Sequence, residues 1–108
     1  MKTYELLLHL GFNGRNQQTR LLADAIDFVI DNFDKEVLIV KDVYATVGRK
    51  NGKTIKTVEQ QIYRAIKRAW PNAYEFLQNW FSDCSVSKQS TNGRFIYTMA
   101  YLIINNYI

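Results

Sequence analysis

Residues 53–70 read Lys-Thr-Ile-Lys-Thr-Val-Glu-Gln-Gln-Ile-Tyr-Arg-Ala-Ile-Lys-Arg-Ala-Trp, and their spacing decides the fold. On a helix of 3.6 residues per turn, Val58, Ile62, Ala65, Ile66, Ala69 and Trp70 share one side. Lys56, Thr57, Gln60, Arg64 and Lys67 share the other. One face is built for a core, and the opposite face interleaves cations with Thr and Gln. Lys and Arg bind phosphate, and Gln pairs with an adenine edge in the major groove. A solvated basic face is the plainer reading of the same pattern.

Upstream, Arg49-Lys50-Asn51-Gly52 reads as a helix end and a turn, because Asn and Gly tolerate the positive φ that stops a helix. Thr54 is placed to cap the next helix. A helix, a tight turn and a polar-faced second helix together form a helix-turn-helix pattern. Gly48 supplies a small residue four before Gly52, although Asn51 stands where an apolar residue is usual.

The chain has 108 residues, 47% of them hydrophobic and 14% aromatic, which is the composition of one packed domain. Its net charge is only +4, but the distribution is uneven. Between Lys41 and Arg68 eight cations face two acids, a surplus of six, so the rest of the chain stands at −2. A basic block of this kind fits a polyanionic partner. The single cysteine, Cys84, excludes an internal disulfide and fits a reducing compartment. The start lacks the features of a secretory signal, and no stretch has the roughly 18 apolar residues of a membrane span. The expectation is a cytoplasmic protein with no membrane partner.

Outside the central stretch, the pattern predicts helices over 3–10, about 17–33, about 37–49, a short one from Pro71, and 91 or 92 to about 106. With the 55–70 helix, this is an all-α, compact six-helix domain spanning 1–108. The longest flanking stripe is Leu21, Leu22, Ala25, Ile26, Val29, Ile30 and Phe33. Val37-Leu38-Ile39-Val40 has strand propensity, but Val40, Val43, Tyr44 and Val47 continue at helical spacing. Pro71 is expected to end the central helix near Trp70 and to open the next, where Tyr74, Phe76, Leu77, Trp80 and Phe81 pack. The polar run from Asp83 to Asn92 reads as a loop.

Catalytic groupings are missing from the pattern. His9 is alone among leucines, and Cys84 has no nearby histidine. One His and one Cys do not make a structural zinc site. Asp24, Asp27 and Asp31 share a helix face, best read as a solvated one. Gly48 and Gly52 sit among cations, not in a phosphate-cradling loop after a strand. No enzyme, cofactor, metal or small-molecule substrate is expected.

The order of these motifs resembles the C-terminal effector domain of the stage-zero sporulation response regulator family. That family has a Leu-Gly or Ile-Gly turn after its first helix, matched by Leu10-Gly11-Phe12. It has a Tyr-x-x-Ile-Ala-Lys-Lys helix, matched by Tyr44-Ala45-Thr46-Val47-Gly48-Arg49-Lys50. Its recognition helix, Ser-Arg-Val-Glu-Arg-Ala-Ile-Arg-His-Ala-Ile-x-x-Ala-Trp, aligns without a gap to Lys56–Trp70, and its Thr-Asn-x-x-Phe-Ile aligns to Thr91–Ile96. The resemblance runs from about Tyr4 to Leu102. It implies a six-helix DNA-binding domain that lays the 55–70 helix in the major groove. It also implies a phosphate-accepting receiver domain ahead of this one, for which this sequence has no counterpart.

In the family, an Arg, a Glu and an Arg around the recognition-helix Val read bases; here these positions are Thr57, Glu59 and Gln60. Each lost Arg–guanine contact removes about 1–3 kcal/mol of discrimination, so the docking mode transfers and the target sequence does not. The expected base-edge residues are Thr57, Glu59 and Gln60. The expected phosphate contacts are Lys53, Lys56, Arg64 and Lys67, with Arg49 and Lys50 behind them. The rival from another class is a protein-interaction module that kept the helix-turn-helix frame and lost specific reading. RNA binding is weaker still, because the aromatics read as core residues. In the last helix, Phe95, Met99, Leu102 and Ile103 form one apolar stripe. Tyr97, Tyr101, Ile104 and Ile108 form a second, on which a homodimer or a partner domain is expected to dock.

Overall fold

The computed structural model describes residues 2–107, and every regular element among them is helical. They are α1 (Lys2–His9), α2 (Gln17–Asp31), α3 (Ala45–Asn51), α4 (Ile55–Leu77) and α5 (Asn92–Ile104), with a π-helical turn over Ile39–Tyr44 running into α3. Asn16 caps α2 by accepting from Gln18 N, and Asn32 closes it. The buried stripe Leu21, Leu22, Ala25, Ile26 and Val29 turns α2 into the central pillar, touching each of the other helices. The radius of gyration, 12.8 Å, equals the roughly 13 Å of a folded chain of this length with a single core.

The expected six helices become five, and Pro71 is the reason. Instead of ending at Trp70, α4 runs through Pro71 to Leu77. A proline inside a helix forfeits one hydrogen bond and crowds the carbonyl four residues back, at about 3 kcal/mol. Continuation sinks Ala73 and Leu77 on the same side as Val58, Ile62, Ile66 and Trp70. Burial of a large aliphatic side chain is worth roughly 1.5–3 kcal/mol, so the extended stripe offsets the defect. The helix expected from Pro71 is the last part of α4.

Three smaller differences concern single side chains and one helix start. Phe33 lies beyond the end of α2 and is exposed, not part of the core stripe. Val37 and Leu38 are extended and precede the π-helical turn, where the pattern predicts helix from 37. Phe76 points away from the core and rests on the His9 ring, 5.7 Å between centroids. Between α4 and α5, residues 78–91 form a longer irregular segment than the polar run alone indicates.

Candidate nucleic-acid interface

The junction between α3 and α4 is set by two glycines with different tasks. Gly52 ends α3 at φ 66° and ψ 36°, in the left-handed region where glycine is unstrained. Gly48, one turn earlier, accepts a hydrogen bond from Lys53 N at 2.8 Å. A Cβ on Gly48 would stand 2.5 Å from the Lys53 carbonyl oxygen, so only glycine lets the turn fold this closely on α3. Thr54 then caps α4, its hydroxyl accepting from Thr57 N at 3.1 Å and donating to Thr57 Oγ1 at 2.9 Å. These bonds fix the direction in which the first turns of α4 leave the domain.

From that start, the side chains divide as the 3.6 period requires. Val58, Ile62, Ala65, Ile66, Ala69 and Trp70 are buried, and Lys56, Glu59, Gln60, Arg64 and Lys67 are exposed. Thr57 and Lys53 are half-buried. Trp70 anchors the inner face between the Tyr74, Phe81 and Phe95 rings, with its Nε1 donating to Ser85 O at 3.0 Å. The Lys67 ammonium lies 6.0 Å from the centroid of Tyr63, on the outer face of the same helix.

Two of the expected phosphate ligands have neighbours within the domain. Lys50 lies 3.3 Å from Asp24 Oδ1, but it is largely solvent-exposed, and such a surface pair is worth no more than about 1 kcal/mol. Arg49 Nη2 donates to Thr46 Oγ1 at 3.4 Å. Asp24 also accepts from Asn51 Nδ2 at 3.1 Å. The polar residue in the apolar position of the turn is therefore used to tie α3 to α2.

Sequence reading missed Asn92. Its Nδ2 donates to the Tyr44 hydroxyl at 3.1 Å and to Glu59 O at 3.1 Å, joining the start of α5 to the end of the π-helical turn and the exposed face of α4. Burial pushes the Tyr44 phenol above its ordinary range, with the bond from Asn92 opposing and the Glu59 charge reinforcing. Thr91 caps α5 by accepting from Arg94 N at 3.2 Å. Arg94 grips Asp83 through two bonds of 2.6 and 2.7 Å and lies 5.1 Å from the Phe81 centroid, closing the irregular segment on itself. The bond from Arg94 holds the Asp83 carboxyl below the usual carboxylate range. Contacts between residues far apart in sequence leave no periodic signal, and only the start of the last helix at 91 or 92 was legible.

The second stripe of α5 is open over part of its length. The Tyr97 hydroxyl donates to Val37 O at 2.6 Å, so the extended stretch before the π-helical turn covers this residue. Burial and the Asp42 charge raise the Tyr97 phenol. Tyr101 and Ile104 are exposed, with the Tyr101 ring stacked on Tyr107 at 5.9 Å. Ile108 lies outside the described residues.

A family model described as Sporulation initiation factor Spo0A C terminal matches residues 3–103. The chain belongs to this family. It is a family of DNA-binding effector domains of a transcriptional regulator of sporulation, a response regulator, and not an enzyme class. Neither a curated protein nor a solved structure matches the chain. Among the described residues, no helix is long and apolar enough to cross a membrane.

Proposed function

We propose that this chain is a sequence-specific reader of double-stranded DNA, with α3, the Gly52 turn and α4 acting as a helix-turn-helix. The first half of α4 enters the major groove. Thr57, Glu59 and Gln60 meet base edges, and Lys53, Lys56, Arg64 and Lys67 meet phosphates, with Arg49 and Lys50 behind them. The observation that carries this reading is the split of α4 into a fully buried face and an exposed face holding Lys56, Gln60, Arg64 and Lys67, within a chain that belongs to a DNA-binding family. A glutamine donates and accepts in one plane, as adenine recognition requires. Thr57 and Gln60 replace two arginines of the family pattern, so the preferred site differs from the one those arginines read.

Selection of bound duplexes from a random pool at two salt concentrations tests this. A defined motif should be enriched, and with about four to six phosphate contacts log K against log salt should slope at about −4 to −5. A slope near zero would remove the docking mode and favour the protein-interaction module instead. Gln60→Ala should flatten discrimination at one or two positions by ~1–3 kcal/mol, whereas Lys56→Ala should weaken all sequences alike.

A second element of the proposal is self-association through the far end of α5. The exposed Tyr101, Ile104 and Tyr107 support it, and the engaged hydroxyl of Tyr97 moves the patch towards the C-terminal end. Two linked readers on adjacent half-sites bind more tightly than one. Sedimentation of the wild type against Tyr101→Glu, Ile104→Glu tests the patch. A folded double variant with the same mass as the wild type would remove it.

A further inference from the structure

An open groove of about 1320 Å³ lies beside α4. One wall is the outer face of α4, where Gln60, Arg64 and Lys67 follow one another along the axis. The other wall is the irregular segment around Ser87 and Lys88, leading into the first turn of α5. Three cations line it, Arg64 and Lys67 on one side and Lys88 on the other, against a single acid, Glu59. The volume exceeds the roughly 300–1,000 Å³ of small-molecule sites, which enclose most of their ligand where this groove stays open. A long, open, cationic trough fits a polymer of phosphates better than a compact metabolite.

The second wall adds donors that do not depend on lysine. The 13-residue α5 starts at this groove, and the backbone N–H groups of Asn92 and Gly93, in its first turn, have no intrahelical acceptor. They carry the positive end of the helix dipole. Gln89 Nε2 is a buried donor with no partner among the described residues. A small outward turn of that amide would give it an anionic acceptor in the groove. Asn92 Oδ1 is also buried and unpartnered, but as an acceptor it offers an anion nothing. Arg94, gripping Asp83, holds the base of this segment in place.

We infer that this groove holds one phosphodiester strand of the duplex that α4 reads, with Lys88 and the first turn of α5 clamping it from the side opposite Arg64 and Lys67. The inference rests on the DNA-binding reading above. Arg64 and Lys67 stand about one helical turn apart on the α4 wall, so both cations face the same stretch of the groove. The clamp touches the backbone and not the bases, so it raises affinity without choosing sequence.

The test is a salt titration of a duplex recovered by the selection, using wild type, Lys88→Ala, Lys56→Ala and Lys35→Ala, each checked for folding by circular dichroism. Lys35 is exposed and lies outside the groove. Lys88→Ala should make the slope of log K against log salt shallower by about 1 and leave the ranking of variant sites unchanged. Lys88→Glu should weaken binding further in the same direction, and Lys35→Ala should keep the wild-type slope. If Lys56→Ala loses slope and Lys88→Ala does not, the clamp is wrong and the reading by α4 stands. An equal loss in Lys35→Ala would overturn the clamp, because any surface cation would then serve. If the wild type retains no duplex at low salt, both the reading and the clamp fall.

Discussion

Gly48→Ala tests the α3–α4 turn. In an ordinary helix the change is favourable by about 1 kcal/mol, because alanine is the better helix former. Here the new methyl meets the Lys53 carbonyl oxygen at 2.5 Å, close to an ångström inside ordinary contact, and the atom it meets is backbone. To relieve the overlap, Lys53 must move away from α3, which breaks or stretches its 2.8 Å bond to Gly48 O. That bond contributes about 0.5–1.5 kcal/mol, and overpacking of a tight contact costs about 1–3 kcal/mol. Against the helical gain, the net loss is about 0.5–3.5 kcal/mol, or a fall in Tm on the order of 2–20 °C. Thermal melting followed by circular dichroism measures it directly. DNA affinity should fall beyond what stability explains, because the start of α4 shifts relative to α3. Gly52 gives the contrast: a Cβ there meets nothing within 4 Å, and the obstacle is its φ of 66° alone. Gly52→Asn should therefore be nearly neutral, and Gly52→Ala should cost about 1–2 kcal/mol. A Gly48→Ala protein that melts at or above the wild-type temperature would refute the close approach.

The other predictions follow from the core and the irregular segment. Trp70→Ala removes a buried indole held by three rings and the bond to Ser85 O, and should cost about 3–5 kcal/mol in urea unfolding. An unaltered midpoint would mean that the wrong face of α4 is buried. Pro71→Ala should stabilise the chain by about 1–2 kcal/mol, since it restores a hydrogen bond within a helix that is already continuous. A destabilised variant would show that the proline shapes α4 instead of being tolerated by it. The Asp83 carboxyl is depressed by Arg94, so its contribution is present above the ordinary carboxylate range and is lost as pH falls through the lowered folded value. The protection of the amides of residues 83–91, taken relative to their intrinsic exchange at each pH, should thus fall at acid pH in the wild type, and Asp83→Asn should remove that pH dependence. Because Asp83 and Arg94 are exposed, the effect should also shrink in high salt.

What the sequence determined by itself was whatever depends on near neighbours along the chain. The buried and exposed faces of α4, the Gly52 turn, the Thr54 cap and the stripe of α2 all follow from 3.6-residue spacing and from the conformations that each residue type tolerates. The order of motifs also carried the family, because residues 44–70 keep its register without a gap. The tertiary structure decided where a local preference loses to a distant one. Pro71 favours a helix end, but the core that receives Ala73 and Leu77 keeps α4 running. Tyr97 looked like part of an open stripe until Val37, sixty residues away, met its hydroxyl. The groove beside α4 belongs to the same class. Lys88 and Arg64 line it together where Asn92 ties α5 to Glu59 O and Arg94 grips Asp83, contacts that no periodicity in the chain encodes.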